Sequence, residues 1–425
     1  MERQDQIYKQ YLQILKEELI PAMGCTEPIA IAYLASYARD ILGCLPDKVN
    51  ISVSGNLLKN VKSVVVPNTG GMKGIEAAVS AGLVAGQSDK QLEVIASVSE
   101  EQVKEIQTYC QNHEINVDLL DTKYIFDMFI TLIKGDDVVK ARIVNYHTNI
   151  VYASKNDQVI LDTGVQELKE DVCDKSCLNI ADIVKFADIV DIEDVKPILD
   201  VQINFNMTIA EEGLKNNYGA NIGKTLLKTY GNNTATRCKA YAAAASDARM
   251  NGCELPVIIV SGSGNQGITA SVPVIVYARD KGFSQEELYR ALCVSDLCTI
   301  HQKSGIGRLS AYCGAVSAGI GSGAGIAYLE THSYEAVAHT IVNGLGMISG
   351  TICDGAKASC AAKIQSAIDA GLLAFNMYLS HQEFKNGEGL TDNGVESTIK
   401  NVGRLAKEGM KETDKEIIAM MIKKC

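Results

Sequence analysis

Apolar positions along this chain change their spacing twice, and the changes outline its organisation. From Met1 to about residue 43 the spacing is helical. A first amphipathic stretch runs to about Leu19 and breaks at Pro21-Ala22-Met23-Gly24. A second begins near Pro28 with IAIAYLASYARDIL. From about Val49, short β-type runs take over: NISVSG, KSVVVP, LEVIASV, EINVDLL, VVKARIVN, TNIVYAS and QVILD. Between them GMKGIEAAVSAGLVAG and SEEQVKEIQTYCQNH read as helices. After roughly Asp188 helical patterns return and fill the rest, among them ATRCKAYAAAASDARMNG, SQEELYRALCVSDL, SYEAVAHTIVNGLG and VESTIKNVGRLAKEGM.

The pattern predicts an α+β fold. Residues 1–45 form N-terminal helices that belong with the helical part. Residues 46–190 form an α+β domain with a mixed or antiparallel sheet. Residues 191–425 form a larger all-helical domain. Two stretches, Leu309 to Leu329 and Ala336 to Cys353, lack charge over a membrane-like length. Both consist mainly of Gly, Ala and Ser, which favours buried helices in close contact over insertion in a bilayer.

Composition narrows the class. The 425 residues carry 40 Lys+Arg against 51 Asp+Glu, a net charge of −11, with no strongly basic run. A nucleic-acid partner and a membrane partner are therefore not expected. The N-terminal segment MERQDQIYKQYLQILKEEL is charged and lacks an apolar signal core, so a cytoplasmic location is expected. A symmetric dimer is the default for a soluble enzyme.

Thirteen cysteines is a high count for a reducing compartment. Cys44, Cys110, Cys173, Cys177, Cys238, Cys253, Cys293 and Cys298 read as packing residues. The pair Cys173 and Cys177 has no neighbours that would complete a zinc site. Cys313 lies in SAYCGAVSAG, and Cys353 and Cys360 lie in TICDGAKASC, at spacings of forty and seven residues. Three thiolates so placed would hold a [4Fe–4S] cluster and leave one iron open as a Lewis acid. On spacing alone, three small core residues explain them better. Cys25, in PAMGCTEPIAIA, falls at a helix start with Thr26 as N-cap and Pro28 in the first turn. Free backbone N–H groups and the helix dipole there favour a thiolate, a base or nucleophile. A gap-filling thiol beside the cap fits equally well.

Other signals are weaker. SGSGNQG carries G-x-G-x-x-G at Gly262, Gly264 and Gly267, but Pro273 follows where a helix should continue and the surroundings are not βαβ. GANIGKT has three residues between its glycines where a P-loop needs four. A pyridoxal phosphate site needs a Schiff-base lysine in a recognisable setting, and none stands out. His147, in NYHTNIV, reads as a structurally satisfied histidine.

Together IPAMGCTEPIAIAYLA, SGSGNQGITASVPV, GRLSAYCGAVSAG and TICDGAKASCAAKI resemble the L-cysteine desulfidase family, which is related to the α-chain of iron–sulfur L-serine dehydratases. The resemblance covers essentially the whole chain, with the motifs in the same order. It implies a carbon–sulfur lyase whose [4Fe–4S] cluster is held by Cys313, Cys353 and Cys360. L-cysteine would give pyruvate, ammonia and hydrogen sulfide, with Cys25 as base. It also implies substrate contacts from Thr26, Asn68, Thr69, Ser263, Asn265 and Gln266. The serine enzymes carry a Ser-Ser-Ser-His-Thr segment that has no counterpart here, which favours cysteine over serine. In some of them a C-terminal cysteine occupies the open iron, and Cys425 ends this chain. A non-enzymatic cysteine or iron sensor is the remaining reading.

Overall fold

The computed structural model describes residues 1–23, 26–165, 173–307 and 310–422. Two cores organise them, one α+β and one helical. The strands are β1 (Pro21–Met23), β2 (Lys48–Val53), β3 (Ile115–Leu119), β4 (Asp127–Lys134), β5 (Asp137–Val144), β6 (Ile150–Lys155), β7 (Gln158–Asp162) and β8 (Pro256–Ile258). Six form one mixed sheet in the order β3-β2-β4-β5-β6-β7, with only the β2–β3 pair parallel. The expected α+β class is what the structure has.

Alternation fixes the face of the sheet that is covered. Val49, Ile51 and Val53 on β2, Met128, Ile130 and Leu132 on β4, and Val139, Ala141 and Ile143 on β5 all point inward. They meet the helices Thr26–Leu42 and Gly74–Ala85. The second N-terminal helix therefore lies in the α+β core through Ala30, Ile31 and Leu34, while the first, Gln6–Glu18, lies in the helical core through Tyr11 and Ile14. The expectation had placed both with the helical part. The Thr26–Leu42 helix is buried along much of its surface, so its apolar pattern does not reveal which core it joins.

Several local expectations are corrected. KSVVVP contributes only an isolated bridge between Val65 and Lys73, because it is squeezed between the Gly55–Val61 helix and a glycine turn. LEVIASV folds into tight turns in which Val94 and Ile95 are buried. Strand β4, DMFITLIK, was not among the expected runs. Its outward face carries Phe129, Thr131 and Ile133, so the polar half of the alternation is missing. Pro273 sits inside the continuous helix Gly264–Lys281 and does not end it.

The helical part is built around Gly314–Thr331, which is buried along nearly all its length. Small residues let its neighbours approach to backbone contact: a Cβ on Gly323 would lie 2.6 Å from the Gly371 carbonyl oxygen on the Ser359–Leu379 helix. That is why this charge-free stretch is rich in Gly, Ala and Ser. Ends are set locally by capping boxes, Ser99 with Gln102 and Ser284 with Glu287. Among the described residues no helix is long and apolar enough to cross a membrane.

One buried acid stands apart from this packing. Gln202 Nε2 donates to Asp296 Oδ1 at 3.1 Å, leaving Asp296 Oδ2 and Gln202 Oε1 buried without partners among the described residues. Burial pushes the Asp296 carboxyl up to about 8. In the unfolded chain it ionises near pH ~4. Between those values the folded state holds the extra proton, so stability falls as pH rises through the window. Asp296→Asn keeps the shape and cannot ionise. Its melting temperature should exceed the wild type's at about pH 8.5, and the gap should close towards about pH 5. A gap independent of pH would show that Asp296 does not titrate there.

Candidate functional site

Two short pairings bring the cysteine-bearing loops together. Tyr312 and Ile352 form an isolated antiparallel bridge. Around it, Cys313 N donates to Thr351 O at 3.0 Å and Cys353 N donates to Ala311 O at 2.6 Å. In this register Cys313 and Cys353 are diagonal neighbours on one face of the bridge, a spacing of about 7–8 Å in regular sheets. Cys360 opens the Ser359–Leu379 helix, with its thiol turned back to Gly355 O at 3.6 Å. The intervening loop is pinned by Asp354, which accepts from both Lys357 and Lys363, and by Lys363 donating to Ile352 O at 3.0 Å.

The three thiols feel one another. Burial pushes Cys313 up to about 12, with Cys353 and Cys360 adding to the shift. Burial also raises Cys360, with Cys353 contributing. Among the described residues no three His, Cys, Asp or Glu side chains converge closely enough for a single metal ion. A polynuclear cluster does not ask for that, since each thiolate binds a different iron. The donor set, three soft thiols on an electrostatically shared face, fits an iron–sulfur group.

The glycine-rich loop reaches the same place from the other side. Strand β1 pairs antiparallel with β8, Ala22 opposite Val257 and Met23 opposite Pro256. The chain then turns through Ser261 and Gly262, both at positive φ, into the Gly264–Lys281 helix. So a strand does lead through SGSGNQG into a helix, but among the described residues β8 pairs with β1 alone and antiparallel, not in the parallel sheet that a dinucleotide fold needs. The GANIGKT segment is occupied by its own chain: Asp247 accepts from Ile222 N at 2.7 Å at the start of the Ile222–Tyr230 helix.

Within the loop the expected contacts divide. Ser263 caps the helix, accepting from Gln266 N at 3.5 Å. Asn265 Oδ1 accepts from Arg249 Nη1 at 3.5 Å, and the Arg249 side chain lies against Gly264. Gln266 is brought to the cysteines. A Cβ on Gly314 would stand 2.6 Å from its Cδ, and Gln266 Oε1 is buried without a partner among the described residues. Asn68 donates to Ile95 O at 3.1 Å, tying its turn to a neighbouring one, and the buried Thr69 hydroxyl donates to Val66 O at 2.8 Å within its own turn.

Cys25 lies outside the described residues, but both its flanks are fixed. Before it runs the β1–β8 ladder. After it, Thr26 stands in the first turn of its helix, with its hydroxyl 3.0 Å from His147 Nε2. The His147 ring packs on Phe126, centroids 4.5 Å apart. Burial pulls its pKa below the usual value, with Glu27 opposing. Cys425 also lies outside the described residues. Cys173 and Cys177 point to backbone carbonyls, Gln10 O at 3.8 Å and Asp174 O at 3.3 Å.

Arg249 is thus a neighbour of the glycine-rich loop that the sequence did not single out, because it arrives from a distant element with no local signal. His147, read from sequence as a structurally satisfied histidine, here bonds Thr26. The site lies where the two cores meet, in a setting of an α+β fold common for small-ligand chemistry.

The arrangement defines a class: an α+β protein whose helical core presents three thiols towards a glycine-rich loop and a histidine-backed helix start. The chain belongs to the serine dehydratase alpha chain family, whose sequence profile matches residues 89–419. It is 57% identical to a UPF0597 protein of Desulfitobacterium hafniense strain Y51, over 100% of this chain and 99% of the relative. UPF0597 proteins of Treponema denticola and Lachnoclostridium phytofermentans are 48% and 47% identical. The first alignment covers 98% of both chains, the second 98% of this chain and 100% of the relative.

Gly314→Ala tests the link between the loop and the cysteines. The added methyl displaces only the end of a flexible side chain, so the fold should survive with unchanged circular dichroism. Gln266 would be pushed from its place, so Gly314→Ala and Gln266→Leu should share one phenotype, a raised KM for the amino-acid substrate. Unaltered KM values in both would remove Gln266 from the site.

Proposed function

We propose that this chain is an iron–sulfur-dependent lyase that eliminates sulfide from L-cysteine. The observation that carries the proposal is the Tyr312–Ile352 bridge, which brings Cys313 and Cys353 to one face near Cys360 and the Gln266 carbonyl, which has no partner among the described residues. When bound, the cluster supplies a Lewis-acidic iron without a protein ligand, which polarises the substrate.

The chain's own residues do the rest. Gln266 Oε1 is an acceptor matched to the substrate ammonium, and a buried acceptor gains most from a charged donor. Arg249 offers a planar guanidinium for the carboxylate. Cys25 takes the α-proton as base, and the β-carbon–sulfur bond breaks with its electron pair leaving on sulfur as hydrosulfide. The aminoacrylate left behind tautomerises and is hydrolysed by water to pyruvate and ammonia. His147, held neutral by burial, orients Thr26 beside the base through their hydrogen bond. Closing the site between two cores excludes water and strengthens each of these contacts.

The family description supports a second reading with L-serine as substrate and hydroxide as leaving group. The same residues would serve it, so the substrate is settled by measurement. Anaerobically purified protein should hold about four irons and four acid-labile sulfides per chain, and should release sulfide and pyruvate from L-cysteine faster than pyruvate from L-serine. Protein that holds no iron after reconstitution yet still turns over would favour pyridoxal phosphate. Stoichiometric cysteine binding without release of sulfide would favour a sensor.

Replacing the base separates binding from chemistry. Cys25→Ala should keep its iron and lower kcat by roughly 10²–10⁴-fold, the usual share of general base catalysis. A variant that loses iron with activity would make Cys25 a ligand, and one that keeps both would exclude it as the base.

A further inference from the structure

Four lysines lie in or against the cysteine-bearing loops, and three have carboxylate partners. Asp414 takes the Lys59 amine, and Asp354 takes those of Lys357 and Lys363. Lys303 has no carboxylate among the described residues. Its amine donates one hydrogen bond, to Gly307 O at 3.0 Å. Burial pulls its pKa down, with Cys353 and Cys313 pulling the other way.

Helix packing explains where it points. Lys303 stands in the last turn of the Gln285–Ser304 helix, which runs antiparallel to Gly314–Thr331. Successive contacts advance towards the cysteines: Ser295 against Gly325, Thr299 against Gly321, and Gln302 donating to Ser317 O at 3.4 Å. The next residue is Lys303, at the end of the helix where Cys313 lies. A half-buried ammonium with one neutral partner carries a desolvation cost, and an anion in front of it relieves that cost.

We infer that Lys303 is a positioning residue for the cluster: a fixed cation that balances the negative charge of the three thiolates and the iron–sulfur group they hold. The inference rests on the iron–sulfur reading above. It assigns the unpaired lysine to the group's charge and not to the substrate carboxylate. A nearby cation stabilises the reduced form of such a cluster more than the oxidised form, so removing it would lower the potential.

The test uses the full-length protein reconstituted anaerobically, as wild type, Lys303→Met and Lys303→Arg. Iron and sulfide per chain, midpoint potential against dye mediators, rate of bleaching in air and circular dichroism are measured on each. Lys303→Met should fold, and either lose most of its iron or keep it at a more negative potential with several-fold faster bleaching. Lys303→Arg should restore both loading and potential. A folded Met variant with wild-type loading, potential and bleaching overturns the inference, as does one whose only change is a raised KM. Should the Met variant not fold, the Arg variant decides. Wild-type loading and potential in it support a role for charge, and a folded Arg variant without iron overturns it. Wild-type protein that takes up no iron brings down the cluster reading itself, a different result from any of these.

Discussion

Backbone contact around the Gly314–Thr331 helix is the constraint on which the rest depends. Gly323 meets Gly371, and Gly321 meets Thr299, at distances that leave no space for a side chain. Such packing fixes where a helix begins as firmly as where its sides lie. Cys313 stands at that beginning, Cys360 opens the helix packed on its other flank, and Lys303 closes the one beside it. Three chemically important groups therefore meet because three helices share one tight seam. An additional methyl in the seam would move the thiols relative to one another before it unfolded anything.

The second element is the short β1–β8 ladder. It is too small to matter much for stability, yet it decides what faces the thiols. Its register holds the segment before Cys25 against the segment before the glycine-rich loop, and the loop in turn lays Gln266 on Gly314. The α+β core adds His147 from the turn between β5 and β6. The C-terminal helix Lys411–Ile422 ties that core back to the helical part, through the Lys59–Asp414 pair and Ile418 on Gly55. The site is thus a product of how two cores are joined, and neither contains it alone.

This explains what was legible in the sequence. The Glu100–Asn112 helix and the start of Gln285–Ser304 were visible because capping makes their boundaries local chemistry. Most strands of the sheet were visible by alternation, and β4 was not, because both its faces are apolar. The burial of the Gly/Ala/Ser helices followed from composition. What spacing could not show was that Cys313 and Cys353, forty residues apart, flank one bridge. Resemblance to a known family supplied that grouping, and the bridge gives it a physical form. Asn68 and Thr69 were named from a polar glycine turn, and here Asn68 bonds Ile95 O while Thr69 bonds Val66 O. Pro273 shows that one proline is weak grounds for ending a helix whose other faces are fully packed.

Ion pairs hold the scaffold around the site: Lys59 with Asp414 across the junction, Asp354 with two lysines within the cysteine-bearing segment, and Arg142 with the buried Asp127 inside the sheet. Asp296 Oδ2 and Gln202 Oε1, deep in the helical core, have no partners among the described residues, and burial keeps the carboxyl protonated to about pH 8. Gln266 Oε1 has no partner among the described residues, and the Lys303 amine has one neutral partner, Gly307 O. One is an acceptor and the other a donor, and both belong to elements that end at the thiols. Other buried atoms also lack partners among the described residues, Ser246 Oγ, Gln302 Oε1 and Ser317 Oγ among them, so it is the position of Gln266 and Lys303 beside the thiols that gives them weight. An amino acid offers an ammonium to the first, and a thiolate-bound cluster offers negative charge to the second, so one bound assembly would answer both.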